Sequence, residues 1–461
     1  MRLTNTTLAN LRAGIDRPQY DREAQDVGII HLGIGAFHRA HQAWYTDRAM
    51  DAGDRHWAIT GISLRSADVA GQLNPQNGLY TLTESGGSGI RTRLIGAVRE
   101  VVAAMHNHDA AITRLAAPTT RIVSLTITEK GYCRAADGSL DLGQAEKGSI
   151  YPLMASGLRR RRDAGLPGLT LLSCDNLSGN GHQLARFMGE YIDCHDPTLT
   201  QWFEAECACP STMVDRIVPA TTREDRAAIA MRIGLDDAAA VMTERFSQWV
   251  IEDRFVGHHP RWESVGATLV SDVTPYETAK LRMLNGAHSA LAYIGLACGH
   301  TFVHEAIADP VIRALIERLL LEEAAPTIAA APGQNLPAYA AALIDRFGNP
   351  ALNHRLIQIA MDGSQKIPQR WLPTLAANRS VGRECPAILS GIAAWVHHLQ
   401  GRNGPVDDPQ AAVLSAAARG TNPLDALFGA GGVLGSSWSP EESDRLTISR
   451  SDRLWGNAAG R

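Results

Sequence analysis

Val27-Gly28-Ile29-Ile30-His31-Leu32-Gly33-Ile34-Gly35-Ala36-Phe37-His38-Arg39-Ala40-His41 is the stretch on which the fold turns. Its first half is a compact apolar run ending in glycine, the pattern of a strand buried on both faces of a parallel sheet. A Gly-x-Gly follows at Gly33 and Gly35, and a helical pattern then runs through Trp44, Tyr45 and Met50. Strand, Gly-x-Gly and helix start together form the context of a dinucleotide-binding fingerprint. The glycines let the backbone approach a pyrophosphate, and the helix N-terminus turns its positive dipole towards it. The third glycine of the fingerprint is absent, and His38 stands in its place.

Working outward, Trp57–Leu64, Arg121–Ile127 and Leu169–Ser173 read as further apolar strands, with helices predicted over Val101–Leu115 and Ser149–Ala164. Leu79–Glu84 and Arg91–Ala97 read as a hairpin around Gly86-Gly87-Ser88-Gly89, and Thr6–Ala13 as a short helix. Strands alternating with helices imply a parallel sheet that binds ligands at its carboxyl ends. Gly33–Gly35, Thr128–Lys130 and Asp175–Asn176 are all such ends. The expected class is therefore α/β, a Rossmann-type domain over residues 1–273. Asp68, just past the second strand, stands where such domains hold the adenosine ribose, and a carboxylate there favours NAD over NADP. Arg65 nearby argues the other way, and an exposed loop aspartate is the plainer alternative.

From Pro275 the pattern turns helical and alanine-rich, which predicts a mostly helical second domain over residues 274–461. Its first helix carries Leu281, Leu284, Ala287 and Leu291 at helical spacing, with Thr274 able to cap and Pro275 in the first turn. Lys280, Asn285 and His288 ride on the same helix. At 3.6 residues per turn, Asn285 lies about 140° from Lys280, with His288 between them at about 80°. An amine whose pKa burial lowers, beside an amide and an imidazole, can take a proton from an alcohol and hold its oxygen. On spacing alone, a solvated lysine with two satisfied helix residues is the favoured reading.

A net charge of −4 offers no footprint for nucleic acid, and Arg159–Arg162 reads as a solvated helix end. No apolar run is long enough to span a bilayer, and the first residues lack a signal peptide's apolar core. Seven scattered cysteines suggest reduced thiols and a cytoplasmic setting. The Cys207–Cys209 pair lacks the further ligands a zinc site needs, so no metal is expected. Residues after Arg450 are expected to be loosely held.

HLGIGAFHRAHQA (His31–Ala43), IVSLTITEKGYC (Ile122–Cys133), SCDNLSGNG (Ser173–Gly181), MVDRIVPAT (Met213–Thr221), QWVIEDRF (Gln248–Phe255), KLRMLNGAHSALAYIG (Lys280–Gly295) and DGSQKIPQR (Asp362–Arg370) together resemble the long-chain polyol-specific dehydrogenase family. That family includes mannitol 2-dehydrogenase and fructuronate reductase. The resemblance implies a metal-independent NAD enzyme, monomeric or weakly associated, acting on a small-molecule sugar acid or polyol in a cleft between its two domains. By matched position Lys280 would be the general base, and Asn176 and Asn285 would hold the developing alkoxide. His288 would orient the hydroxyl, Glu277 would stand on a proton path, and Asp215 would be a supporting carboxylate. Gly33, Gly35, Ala36, Phe37, Asp68, Thr128, Glu129 and Asn176 would bind the cofactor.

Mannitol and mannonate differ by one carboxylate, so the discriminating side chain should be cationic. Lys130 in Glu-Lys-Gly-Tyr, Arg282, and the run His354–Lys366 resemble the fructuronate reductase branch, and Lys366 matches a substrate-binding lysine of the family. Gln358 stands where mannitol dehydrogenases carry arginine, and Lys130 and Arg282 could equally face solvent or pair with Glu129 and Asp215. The expectation is D-mannonate and D-fructuronate, with mannitol and fructose as the alternative. A dinucleotide- or sugar-binding protein without turnover is the remote one.

Overall fold

The structure, a computed structural model, describes residues 1–86, 89–350, 354–436 and 438–458. The chain divides into two compact units, Met1–Val273 and Thr274–Arg461.

The first unit contains strands β1 (Val27–Leu32), β2 (Ala58–Ser63), β3 (Tyr80–Gly86), β4 (Gly89–Ile95), β5 (Val98–Ala103), β6 (Ile122–Leu125), β7 (Thr170–Ser173), β8 (Thr212–Asp215), β9 (Val241–Glu244), β10 (Gln248–Glu252) and β11 (Thr268–Val270). Five of them form a parallel sheet in the order β5-β2-β1-β6-β7. The chain passes from β1 to β2 on one side and to β6 on the other. The switch point of this Rossmann-type sheet, where such folds bind ligands, therefore lies between β1 and β6.

Successive side chains enter opposite cores. Ile30, Leu32, Val123, Leu125 and Leu171 face one cluster, with Leu115, Leu158 and Phe187 from covering helices. Ile29, Ile122 and Leu172 face the other, with Tyr45, Met50, Trp249 and Trp262. Burial on both faces is why these strands read as unbroken apolar runs. Two three-stranded sheets, β4-β3-β9 and β8-β10-β11, complete the unit.

The structure corrects several expected elements. Val101–Leu115 is not one helix. Val98–Ala103 is the edge strand β5, paired with β2, and its helix spans His108–Leu115. The Asn107 side chain caps that helix by accepting the Ala110 N–H at 3.0 Å. The helix expected after Gly35 is broken into Ala36–Ala40 and Gln42–Asp51, because His41 leaves helical geometry at φ −118 and ψ −93. The predicted N-terminal helix is a 3-10 turn, Asn5–Asn10. β3 and β4 pair antiparallel, and Gly87 and Ser88 of the expected hairpin turn lie outside the described residues.

The second unit is helical. Gly286–Ala297 packs along Pro386–Leu399, and both are almost wholly buried. A helix over Glu442–Ala458 packs on Pro386–Leu399, and the Ser451 and Ser390 hydroxyls meet at 2.9 Å. The chain just past Arg450 is thus anchored, not loose. Among the described residues no helix is long and apolar enough to cross a membrane.

Candidate active site

Gly33 ends β1 with φ +88, and its N–H donates to the Ile62 carbonyl at 2.9 Å. A Cβ there would lie 2.2 Å from the Thr126 carbonyl oxygen, so only glycine allows this approach to β6. Gly35 precedes the short helix opened by Ala36 and Phe37, whose first N–H groups lack helical partners. A cavity of about 540 Å3 opens at the carboxyl ends of β1, β2 and β6, lined by Gly33, Gly35, Arg65, Ser66, Thr128 and Lys130 among others. Its size and its place at the switch point suit a dinucleotide.

Beneath the Gly33–Gly35 turn lies a polar support that the fingerprint does not contain. His31 bridges Ser124 and Thr126, 2.8 Å from each, and the Thr126 hydroxyl donates to the Gly33 carbonyl at 2.8 Å. His38, at the missing third glycine, stacks on His31 with ring centres 3.4 Å apart. Burial lowers His31 to about 3 and His38 well below its ordinary value, so both rings are neutral at physiological pH.

Asp68 is exposed at the start of the helix Asp68–Leu73. Glu129 and Lys130 are exposed on a 3-10 turn, Glu129–Tyr132, that follows Thr128 at φ 65. The strained Thr128 is held by buried Asp175, which accepts the Thr128 N–H at 2.8 Å, the Ile127 N–H at 3.0 Å and the Tyr132 hydroxyl at 2.9 Å. Asn176 follows, exposed, on the turn after β7. Buried Asn180 fixes that turn by donating to the carbonyls of Asp175 and Thr212 at 3.0 and 2.9 Å. Asp215 is buried at the end of β8.

In the second unit the expected α-helix is interrupted where the chemistry is concentrated. Thr274–Ala279 is α-helical, Lys280–Asn285 is a π-helix, and Gly286–Ala297 resumes the α form. The Gly286 N–H reaches the carbonyl of Leu281, five residues back. Bonds of this span bring residues five apart into line, so Lys280 and Asn285 share a face rather than standing about 140° apart. Two side chains from a neighbouring segment fit the wider turn. Arg370 Nη1 donates to the Asn285 carbonyl at 3.2 Å, and Trp371 Nε1 donates to the Gly286 carbonyl at 3.0 Å. Lys280, Asn285 and Glu277 are half-buried.

His288 lies 5.0 Å from the Phe347 ring and 5.2 Å from that of His354. Burial, then the charges of His354, Arg370, Arg346 and Lys366, hold its pKa well below the ordinary value. Lys366 Nζ donates to the carbonyls of Ile359 at 3.3 Å and Met361 at 2.6 Å, and Arg282 Nη1 donates to that of Thr327 at 2.8 Å. The structure brings Lys280, Asn285, His288, Lys366 and Arg370 into the second unit, and places Lys130 in the nucleotide cavity of the first. Asp175 and Arg370 were not singled out from the sequence, although both lie inside quoted motifs. Among the described residues no group of His, Cys, Asp and Glu is gathered to hold a metal ion.

Residues 27–264 match the model of the mannitol dehydrogenase Rossmann domain, and residues 272–426 that of the mannitol dehydrogenase C-terminal domain. The chain belongs to the mannitol dehydrogenase family of oxidoreductases. It is 39% identical to D-mannonate oxidoreductase of Escherichia coli K12 over 95% of each chain. Its fold is similar to Pseudomonas fluorescens mannitol 2-dehydrogenase in ternary complex with NAD and D-mannitol, with TM-score 0.81 and 34% identity over 99% of this chain and 96% of that one. It is also similar to a substrate-free D-sorbitol dehydrogenase, with TM-score 0.92 and 31% identity over 99% of each chain.

Proposed function

We propose that the protein interconverts the secondary alcohol of D-mannonate and the ketone of D-fructuronate, with NAD. The observation that carries this reading is the π-turn, which aligns an amine with a carboxamide one turn before a neutral imidazole set among cations. NAD takes up or returns the hydride. The side chains move the proton and hold the oxygen. Lys280 removes the hydroxyl proton, and in reduction its ammonium returns it. Asn285 and Asn176 donate to the oxygen as negative charge develops on it. Neutral His288 orients the hydroxyl, Glu277 passes the proton towards solvent, and Asp215 supports the site. Lys366 binds substrate, as do Lys130 and Arg282 in this reading. Gly33, Gly35, Ala36 and Phe37 hold the pyrophosphate, Asp68 the ribose, and Thr128, Glu129 and Asn176 the nicotinamide end. Arg370 and Lys366 near His288 are groups that an anionic substrate could use and a polyol could not.

The test is NADH oxidation with D-fructuronate and with D-fructose, in wild type and Lys280→Ala. A general base contributes about 100- to 10,000-fold, so Lys280→Ala should lose at least that range's lower end. Equal rates would reject Lys280 as the base. A wild-type kcat/KM higher for mannitol than for mannonate would reject the substrate, and higher with NADP than with NAD would reject the cofactor.

A further inference from the structure

Three other arginines of low exposure have their charge or their donors matched. Arg93 pairs with Asp47 at 2.7 Å and Asp51 at 2.5 Å, and Arg216 pairs with Glu84. Arg161 directs its guanidinium at the carbonyls of Pro167, Leu115 and Ala117. Arg370 differs. Its Nη1 donates to the Asn285 carbonyl and, at 2.8 Å, to Ser289 Oγ. Among the described residues its Nε and Nη2 have no acceptor, and no carboxylate pairs with it. Desolvation lowers its pKa to about 10, so it remains charged at neutral pH. Arg370 is half-buried, so its charge is partly desolvated and, among the described residues, has no carboxylate beside it, a position that a bound anion would favour.

The other cations proposed to bind substrate border different groups. Lys366 is held by two backbone carbonyls, Arg282 by one, and Lys130 lines the nucleotide cavity. Arg370 approaches the reactive turn from another segment, bonded to the backbone of Asn285 and to the Ser289 hydroxyl. The Nε–Nη2 edge of a guanidinium matches the two oxygens of a carboxylate. We propose that this edge of Arg370 receives the substrate's carboxylate, which makes Arg370 the residue that selects a sugar acid over the matching polyol. The inference rests on the reading of this turn as the site of alcohol oxidation.

The experiment compares wild type, Arg370→Met and Arg370→Lys. It measures kcat/KM for D-mannonate and D-mannitol, and the inhibition constant of D-gluconate, a sugar acid, beside that of D-sorbitol. Far-UV circular dichroism checks that each variant is folded. A charge-assisted pair contributes enough that the mannonate-to-mannitol ratio should fall about 10- to 100-fold in Arg370→Met, mainly through KM. Gluconate inhibition should weaken by a similar factor and sorbitol inhibition much less. Arg370→Lys, which keeps the charge without the fork, should fall between. An unchanged ratio and unchanged gluconate inhibition would overturn the inference while leaving the mannonate reading intact. A wild type that prefers mannitol, yet loses gluconate inhibition in Arg370→Met, would support the inference and reject mannonate. An equal loss on both substrates, confined to kcat, would overturn it and make Arg370 a prop for the π-turn.

Discussion

Asp175 accepts from two backbone amides and one phenol, and it holds Thr128 at a positive φ directly before the proposed nicotinamide-binding residues. Burial raises its pKa, against the lowering by those three donors. Asp175→Asn keeps the shape but turns one acceptor oxygen into an NH2 group facing a donor. One buried N–H is then unsatisfied, at a cost of about 1–3 kcal/mol. The expected outcome is a lower denaturation midpoint, and a lower kcat because Asn176 follows in the chain. Unchanged midpoint and kcat would contradict it. Lys280, Asn285 and His288 could be grouped from the sequence because they lie on one helix, whereas the roles proposed for them rest on the resemblance to the family. Asp175 was quoted but given no role, because its amide partners are 47 and 48 residues away. Arg370 meets Asn285 and Ser289 across 85 and 81 residues.

At the scale of elements, doubly buried strands announce themselves, and β1, β2, β6 and β7 were legible for that reason. β5 was not. It is an edge strand whose fully buried residues, Val98 and Val101, are three apart, a spacing that imitates a helix. The π-turn was invisible because α- and π-helices use the same residues, and its partners Arg370 and Trp371 come from far along the chain. Another long-range device admits a pH test. Glu323 caps the helix Pro386–Leu399 by accepting the Ala387 and Ile388 N–H groups at 2.7 and 2.9 Å. Burial outweighs these bonds and raises its pKa from 4.5 to about 7. The folded chain therefore keeps a proton that the unfolded chain has released. Stability falls as pH rises from 4.5 to about 7, by about 3 kcal/mol at most for this group. Glu323→Gln cannot ionise, so denaturation of wild type and variant at pH 4.5 and pH 8 should show wild type losing ground at the higher pH. Parallel pH profiles would exclude this account.

At the scale of the molecule, each unit has its own core. Buried clusters of the first unit draw on residues 3–267, and that of the second on residues 279–448. The proposed cofactor groups are in the first unit, and the proposed base is in the second. Binding and chemistry should then separate under mutation. A ligand at 100 times its Kd stabilises the state that binds it by about 2.7 kcal/mol, or slows globally limited amide exchange roughly 100-fold. NADH should protect the amides of β1, β2 and β6 to that degree in wild type. Lys280→Ala removes no backbone donor and no residue of the nucleotide cavity, so it should show the same protection while turnover collapses. Gly33→Ala should do the reverse at the binding step, because its methyl group meets the Thr126 carbonyl at 2.2 Å and its φ of +88 is strained for alanine. If Lys280→Ala abolished NADH protection together with turnover, the amine would belong to cofactor binding, and the assignment of proton transfer to the second unit would fail.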